Sequence, residues 1–399
     1  MPARSPGRAY HFPVSTLRPP WLEPRTAYVH IPFCGHHCGY CDFAVTAGQD
    51  HLIELYLDAL PLELATLGEP RPVESLFIGG GTPTYLKPGQ LSRLLTVLRP
   101  WFPFLTPDYE FSIESTPESL DEDRVTVLAE YGVNRVSIGV QSFNSTTLSA
   151  LDRRHGVSHI PRAVEVVRKR IAALSFDLIF AAPGQTMSDW EHDLSEALRY
   201  QPDHLSTYGL TYEKGTPLWK DRDRGQVRPV GEDDELAMYE LGIDTLAAAG
   251  FEHYEISNFA QPGQRSIHNQ RYWANEAYFG VGVGAARYVE GVRELNVRNT
   301  HDYIRRVLSG ESPTFQSECL EPKERAFETM ATQLRRMEGI HRGRYRVQTG
   351  YDLDELLGTR LTALIHQGLL LDSVQSITLT RSGKFVADGV IEDLLKANV

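Results

Sequence analysis

Beyond residue 27, short runs of β-branched and aromatic residues alternate with longer segments in which apolar residues recur every three or four positions. Six of these runs predict strands: AYVHIPF, ESLFIGGG, YEFSIES, NRVSIGVQ, SFDLIFAAP and HLSTYGLTY. A polar or glycine-rich corner follows each run, and then an amphipathic segment such as DEDRVTVLAEYG. Repeated βα units require right-handed crossovers and a parallel sheet with helices outside. The pattern therefore predicts an α/β fold, a partial (β/α)6 TIM-like barrel with its chemistry at the carboxyl ends of the strands.

The last eighty or so residues have a different pattern. KERAFETMATQLRRMEGI and DELLGTRLTALIHQGLL predict amphipathic helices, and SITLTRSGKFVADG predicts a hairpin with Ser-Gly at its turn. Together they predict a small winged-helix-like α/β domain. From residue 318 onward eleven basic residues face twelve acidic ones, so no basic surface supports DNA binding. We expect this domain to form a lid over the barrel.

The chain therefore divides into four parts. Residues 1–25 contain six prolines and no continuous apolar core, so we expect a flexible tail there and neither a signal peptide nor a membrane span. The barrel is expected over 26–299, a linker helix and loop over 300–317, and the small C-terminal domain over 318–399. No later stretch is apolar enough to cross a membrane, so we expect at most peripheral membrane association.

Composition narrows the class of partner. The 399 residues are 41% hydrophobic and 23% charged, which is ordinary for a globular protein. A formal net charge of −12 gives no electrostatic support for binding nucleic acid. Three of the four cysteines lie within eight residues, a spacing typical of a metal site rather than a disulfide framework. We expect a reducing, cytoplasmic location.

The clustered cysteines, Cys34, Cys38 and Cys41, allow three interpretations. With His36 or His37 they would complete a tetrahedral zinc site. As buried structural thiols they would need apolar spacers, whereas the spacers here are polar. As ligands of a 4Fe–4S cube they would hold three irons and leave the fourth open to an external ligand. The fourth cysteine, at position 319, stands alone and is not expected to be a ligand.

Other polar residues recur at corresponding points of successive βα units. Cys34 follows the first strand, the GGGTPT stretch at 79–84 follows the second, and Glu114 ends the third. Gln141 ends the fourth strand and Asp177 lies within the fifth. Because the carboxyl ends of parallel strands meet at one mouth of a barrel, we expect these residues to lie together.

The C-x3-C-x2-C spacing with an aromatic residue before the third cysteine resembles the signature of the radical S-adenosylmethionine (SAM) superfamily. The stretch YVHIPFCGHHCGYCDF resembles its coproporphyrinogen dehydrogenase-like branch, and further matches run along nearly the whole chain, among them FIGGGTPTYL, FSIESTPESL, NRVSIGVQSF, DLIFAAPGQT and YFGVGVGA. The resemblance implies a radical SAM barrel with a 4Fe–4S cluster on Cys34, Cys38 and Cys41, and SAM on the open iron.

The same resemblance implies a set of SAM contacts. Their types suit a zwitterionic, hydroxylated ligand, since a glutamate accepts from an ammonium or ribose hydroxyl and an arginine meets a carboxylate. The loop glycines would let the backbone approach the methionine end of SAM without a Cβ in the way. The implied contacts are Tyr28, Tyr40, Gly81, Thr82, Glu114, Gln141, Arg153 and Asp177.

Two features resemble the HemW heme chaperones within this branch. Phe43 stands where the dehydrogenases have a fourth cysteine, and fewer residues precede the cysteine loop than in those enzymes. SIHNQRYW resembles the HNxxYW motif of the chaperones, in which an imidazole can ligate heme iron and aromatic rings can cover a porphyrin face. The matching residues are His268, Asn269, Tyr272 and Trp273. Three other histidines remain rival heme ligands, namely His30, His36 and His37.

The resemblance implies a heme chaperone that binds a 4Fe–4S cluster, SAM and heme, and passes heme to apo-hemoproteins such as respiratory ones. An electron donor would reduce the cluster. The alternative is an oxygen-independent coproporphyrinogen III dehydrogenase, which decarboxylates two propionates by radical hydrogen abstraction. A radical methyl- or methylene-transferase would share the same fold. Phe43 and HNQRYW favour the chaperone.

Overall fold

A computed structural model describes residues 19–398, and within them seventeen strands and fifteen α-helices are present. The strands are β1 (Thr26–Ile31), β2 (Phe33–Cys34), β3 (Thr46–Ala47), β4 (Ser75–Gly80), β5 (Glu110–Ser115), β6 (Arg135–Gln141), β7 (Ala173–Phe180), β8 (His204–Gly209), β9 (Glu252–Glu255), β10 (Asn258–Ala260), β11 (Phe279–Val281), β12 (Ala286–Val289), β13 (Val292–Asn296), β14 (Thr314–Glu318), β15 (Ile340–His341), β16 (Leu370–Ser373) and β17 (Ser376–Leu379). The helices are α1 (Ile53–Ala65), α2 (Pro88–Trp101), α3 (Glu122–Glu130), α4 (Ser145–Ala150), α5 (His159–Arg168), α6 (Met187–Arg199), α7 (Pro217–Asp223), α8 (Glu232–Ala248), α9 (Ile267–Trp273), α10 (Thr300–Leu308), α11 (Pro322–Gln333), α12 (Arg342–Thr349), α13 (Leu353–His366), α14 (Arg381–Phe385) and α15 (Ala387–Leu395).

The central sheet has nine strands in the order β11-β1-β4-β5-β6-β7-β8-β10-β9. The first seven run parallel, and β10 and β9 continue the sheet antiparallel. All six predicted strands of the repeated units are present, as β1 and β4 to β8. The sheet does not pair its two outer strands, so the predicted partial α/β barrel is confirmed.

The strands alternate between a helix-covered face and the barrel interior. In β5, Phe111 and Ile113 are fully buried in the main apolar core, whereas Ser112 and Glu114 line an interior cavity. This alternation follows from the two-residue period of a strand. Each fully buried large apolar side chain contributes about 1.5 to 3 kcal/mol. The apolar face therefore stabilises the barrel and leaves the other face free for polar groups.

Helix α9 lies against the first residues of the strands. It packs on β1 and β4, and His268 contacts Thr26 at the first residue of β1. The carboxylate of Glu110, at the first residue of β5, accepts hydrogen bonds from Ser266 Oγ at 3.1 Å and from the backbone N–H of Ile267 at 2.7 Å. A carboxylate at a helix N-terminus satisfies donors that the helix itself leaves unpaired. The motif HNQRYW is thereby held at the amino-terminal end of the barrel.

The C-terminal part has its own apolar core and a three-stranded sheet in the order β15-β17-β16. Here the predicted hairpin over SITLTRSGKFVADG is wrong. Its first four residues form β17, which pairs with the preceding β16, and Ser382-Gly383 lies within α14. Thr380 caps that helix, because its Oγ1 accepts from the backbone N–H of Gly383 at 3.0 Å. With this cap a helix begins at Arg381, and the Ser-Gly pair is helical where its sequence predicts a turn.

The segments on either side of the barrel also pack against it. Tyr303 of α10 donates a hydrogen bond of 2.5 Å to Glu63 of α1, and β14 extends the sheet of β12 and β13. Residues 1–18, most of the predicted tail, lie outside the described residues. Further on, the carbonyl of Trp21 accepts from the backbone N–H of Ala277 at 2.8 Å. The domain boundaries stay a proposal.

Among the helices of residues 19–398, none combines the length and the apolar character that crossing a membrane requires.

Candidate functional site

The cysteine loop begins at β2 and brings three free thiols to one cavity of about 760 Å³. Cys34 is buried and accepts a contact of 3.6 Å from Thr82 Oγ1, while Cys38 and Cys41 are half-buried. A turn closes the loop, because the backbone N–H of Cys41 donates to the carbonyl of Cys38 at 3.1 Å. Burial raises the pKa of Cys34 to about 12 and that of Cys41 to about 11. Cys319, by contrast, is exposed and far along the chain.

The two histidines of the loop are engaged away from the thiols. His36 Nε2 lies 2.9 Å from Asp152 Oδ2, and His37 Nε2 lies 3.0 Å from the carbonyl oxygen of Cys41. Within residues 19–398, no three His, Cys, Asp or Glu side chains group around a point as ligands of a single metal ion would. A 4Fe–4S cube binds each thiolate to a different iron, so it requires no such convergence. Three thiols on one cavity wall fit that cube.

At positions 79 to 81, glycine is required because neighbouring protein atoms occupy the space that a side chain would fill. A Cβ on Gly79 would lie 2.8 Å from the Glu114 carboxylate, and one on Gly81 would lie 2.7 Å from the backbone of Pro32. Gly80 has φ +107° and faces the His30 ring, a conformation and a proximity that exclude a side chain. Packing within the protein therefore explains these glycines, in addition to the approach of SAM that the sequence predicts.

Two buried carboxylates lie behind this loop. Glu114 Oε2 accepts from the backbone N–H of Gly80 at 2.8 Å, and burial, with a further contribution from Asp177, raises the pKa of Glu114 to about 7. Asp177 accepts from Ser137 Oγ at 3.0 and 3.1 Å, and burial also raises its pKa. Two acids with raised pKa values in one cleft are the arrangement that a cationic ligand group stabilises.

Arg153 joins the cysteine loop to the end of β6. Its Nη2 donates to the carbonyl of Gly139 at 2.8 Å, and its Nη1 contacts Cys38 Sγ at 3.4 Å. Its buried Nε has no hydrogen-bond partner among the described residues. Gln141, at the end of the same strand, has φ +63°, a strained conformation for a residue with a side chain. The free donor of Arg153 fits a carboxylate ligand such as the methionine end of SAM.

The structure brings together most of the predicted SAM contacts but separates one of them. Tyr28 lines a second, larger cavity of about 1160 Å³, where its hydroxyl lies 3.0 Å from His30 Nδ1. Glu114 and Asp177 line both cavities. The remaining predicted contacts line the cavity of the three thiols: Tyr40, Gly81, Thr82, Gln141 and Arg153.

His268 is fixed in the wall of the larger cavity. Its Nδ1 lies 2.8 Å from Thr26 Oγ1, and its ring stacks on Phe77 with centroids 4.8 Å apart. It also packs against the ring of Tyr272, with centroids 4.8 Å apart. Burial lowers the pKa of His268 to about 3, so the imidazole is neutral. Nε2 has no hydrogen-bond partner among the described residues, which leaves one ring nitrogen available to a ligand.

The other motif residues line the same cavity in different roles. The side-chain amide of Asn269 donates to the hydroxyl of Tyr254 at 3.4 Å, which anchors α9 to β9. Tyr272 stacks on Tyr278 at 4.1 Å, and the guanidinium of Arg335 lies 5.0 Å from the ring of Trp273. Of the four motif residues, His268 is therefore the one with a free ligating atom, Nε2.

The two cavities are adjacent and share part of their walls: Phe43, Gly80, Glu114, Asp177, Tyr208, Gly209 and Thr211. Phe43 is 63% exposed at this boundary. The preceding Asp42 is held by Arg298, which bonds both its carbonyl and its carboxylate. Position 43 thus carries an aromatic side chain at the boundary between the two cavities.

Several cavity residues were not predicted. They are polar residues that alternate with apolar ones inside the strands: Ser112, Arg135, Ser137, Ser175, His204 and Ser206. The two-residue alternation in EFSIES, RVSIG and LSFDLI places these side chains on one face of each strand, but it does not show that this face lines a cavity. Lys384 and Phe385 of α14 also line this cavity, and no local pattern indicates that contact.

Comparison with known proteins agrees with this geometry. The profile of the Radical SAM superfamily matches residues 28–197, and that of the HemN C-terminal domain matches residues 320–386. The heme chaperone HemW of Lactococcus lactis is 36% identical over 94% of this chain and 98% of its own. Those of Bacillus subtilis and Escherichia coli K12 are 35% and 32% identical, over 92% and 93% of this chain and 98% of theirs.

Among solved structures, the coproporphyrinogen III oxidase HemN from Escherichia coli superposes with a TM-score of 0.82. The alignment covers 94% of this chain and 90% of that one at 24% identity, which establishes the shared fold. Radical SAM proteins bind a 4Fe–4S cluster and SAM, and the three thiols, the free guanidinium nitrogen and the paired acids fit both groups. The chain therefore belongs to the HemW heme-chaperone family of the radical SAM superfamily.

Proposed function

We propose that this protein binds heme in the larger cavity through His268 and transfers it to apo-hemoproteins. The observation that supports the proposal most directly is the setting of His268, whose ring packs against Phe77 and Tyr272 with Nε2 free. Metal-binding imidazoles characteristically hydrogen-bond through their other nitrogen, which fixes the ring orientation. Thr26 provides that partner here.

The rival histidines are less suited to the role. Both nitrogens of His30 are engaged, Nδ1 with the hydroxyl of Tyr28 at 3.0 Å and Nε2 with the carbonyl of Ala44 at 2.9 Å. His36 and His37 each have Nε2 in a hydrogen bond at the cysteine loop. A heme at His30 would first have to break an existing contact. His36 and His37 line the smaller cavity of the three thiols, whereas His268 offers its free nitrogen in the larger cavity.

In the smaller cavity we propose that Cys34, Cys38 and Cys41 hold the cluster. Arg153 would bind the carboxylate of SAM through its unpartnered Nε, and Glu114 would accept from the ammonium group. When bound, the cluster supplies a single electron for reductive cleavage of SAM. The shared walls at Glu114 and Asp177 support a proposed heme site adjacent to these groups.

The experiment that tests the function uses one anaerobic preparation of the reconstituted protein. Titration with hemin should give a Soret band that is lost in His268→Ala and kept in His36→Ala, a histidine of the other cavity. Coproporphyrinogen III with SAM and a reductant should remain unconverted. Decarboxylation of coproporphyrinogen III would replace the proposal with the dehydrogenase alternative, and loss of the Soret band in His36→Ala alone would move the heme site to the cysteine loop.

We further propose the partners and compartment that go with this role. The acceptors are apo-hemoproteins, with respiratory ones as the first to test, and a separate electron donor reduces the cluster. A reducing cytoplasm suits three free clustered thiols, two of them half-buried, and a fourth, exposed one. Contact with a membrane would be peripheral. Heme transfer from the purified protein to an apo-cytochrome, followed by absorbance, tests the acceptor class.

A further inference from the structure

One row of side chains crosses the floor of the larger cavity. Adjacent strands place Tyr28 of β1 opposite Phe77 of β4, Phe77 opposite Ser112 of β5, and Ser112 opposite Arg135 of β6. All four side chains line the cavity. The row is aromatic at one end, where His268 stacks on Phe77, and polar at the other.

The polar end of the row holds donors without partners. Arg135 is 6% exposed; its Nη1 donates to the carbonyl of Gln264 at 3.0 Å, but its Nη2 has no hydrogen-bond partner among the described residues. Ser112 is 1% exposed, and its Oγ likewise has no partner there. Buried donors are costly when they remain unpaired, and both residues line the larger cavity, so a ligand there that accepts from both would satisfy them.

The charge of Arg135 is also without a direct counterion. Among residues 19–398 its guanidinium forms no ion pair: Nη1 donates to a backbone carbonyl and Nη2 has no partner. The nearby Asp177 interacts electrostatically with Arg135, but its oxygens accept from Ser137 instead. A buried cation requires an anionic partner, and the charge therefore favours a negatively charged acceptor over a neutral one.

We infer that Arg135 and Ser112 bind a carboxylate on the edge of the tetrapyrrole, which in heme is a propionate. The inference rests on the proposed heme site. Strands lie about 4.8 Å apart, so the backbone of Arg135 is about 10 Å from that of Phe77, beneath His268. His268 at the aromatic end can bind the iron at the centre of the tetrapyrrole. Arg135 at the polar end can then bind a carboxylate on the edge of the same ring.

The test compares hemin with its dimethyl ester, which keeps the ring and the iron but removes both negative charges. Wild-type protein should bind hemin about ten to a hundred times more tightly than the ester, the usual value of a charge-assisted hydrogen bond. Arg135→Gln should reduce this ratio close to one. Ser112→Ala, which removes a hydroxyl that has no partner and so leaves the fold intact, should reduce it less.

Two controls separate this inference from the proposed function. His268→Ala should weaken hemin and the ester by the same factor and so preserve their ratio. Arg271 lies in α9 like His268, but it does not line the larger cavity and forms ion pairs with Glu74 and Glu276. Arg271→Gln should therefore leave the hemin-to-ester ratio unchanged. Absence of hemin binding by the wild type would refute the heme site itself. Equal binding of hemin and ester by the wild type, or an undiminished ratio in both Arg135→Gln and Ser112→Ala, would refute the carboxylate site alone.

Discussion

The backbone N–H of Gly80 and the carboxylate of Glu114 are joined by a hydrogen bond of 2.8 Å across two adjacent strands. The bond exists because position 79 has no side chain, since a Cβ there would overlap the same carboxylate. It holds Glu114 at the boundary of the two cavities, close to Asp177. The glycine loop and the buried acid are thus one structural unit.

This unit predicts a pH-dependent stability. Burial and the charge of Asp177 raise the pKa of Glu114 from an ordinary 4.5 to about 7, against the Gly80 hydrogen bond, which lowers it. Tyr28 is a further titratable neighbour. A raised pKa means that the protonated acid stabilises the fold fully below pH 4.5, and this stabilisation is lost as the pH rises through 7. Relative to Glu114→Gln, SAM-free protein should therefore lose about 3 kcal/mol of unfolding free energy between pH 4.5 and 8. Urea unfolding of both proteins at four pH values measures it, and a constant difference would contradict it.

The cluster prediction concerns the three thiols on one cavity wall. Cys34→Ala, Cys38→Ala and Cys41→Ala should each abolish the broad visible absorption of the anaerobically reconstituted protein, because a cube with two remaining thiolates is poorly held. Cys319→Ala is the matched control, since that thiol is exposed and outside the cavity. Stoichiometric zinc without iron in the wild type would exclude the cluster.

The SAM prediction concerns Arg153. Arg153→Gln should weaken SAM binding about ten- to a hundredfold while the cluster absorption remains, because it removes a charge-assisted hydrogen bond but no iron ligand. Arg154→Gln, the neighbouring residue on the rim of the same cavity, is the control and should bind SAM as the wild type does. Isothermal titration gives both affinities. Equal SAM affinity in Arg153→Gln and wild type would show that this arginine only supports the loop.

The heme prediction concerns the partner of His268. Thr26→Val keeps the volume of the side chain but removes the hydroxyl that lies 2.8 Å from Nδ1. The imidazole would lose its fixed orientation, and hemin affinity should fall by about tenfold, less than in His268→Ala. The Soret maximum should shift as well, because the basicity of the ligand changes. If Thr26→Val binds hemin with unchanged affinity and spectrum, His268 is not the iron ligand.

Local patterns were sufficient for the barrel and for the cysteine loop. The two-residue period of the strands and the three- to four-residue period of the helices identify six βα units, because these periods follow from backbone geometry. Three cysteines within eight residues predict a metal site, and the structure brings all three to one cavity. In the C-terminal part the predicted turn at Ser382-Gly383 is wrong, because the helix cap at Thr380 outweighs the turn propensity of the pair.

Tertiary structure alone decided how these parts combine. The row from Phe77 through Ser112 to Arg135 depends on the register of strands that lie more than twenty residues apart in sequence, and no local pattern contains that register. The same holds for Thr26 and His268, which are separated by 242 residues and meet only because α9 packs on β1. The sequence by itself determined which chemical groups this protein has and which elements hold them. The packing of distant elements decided which groups share a cavity, because hydrogen bonds and burial depend on distances in the folded chain.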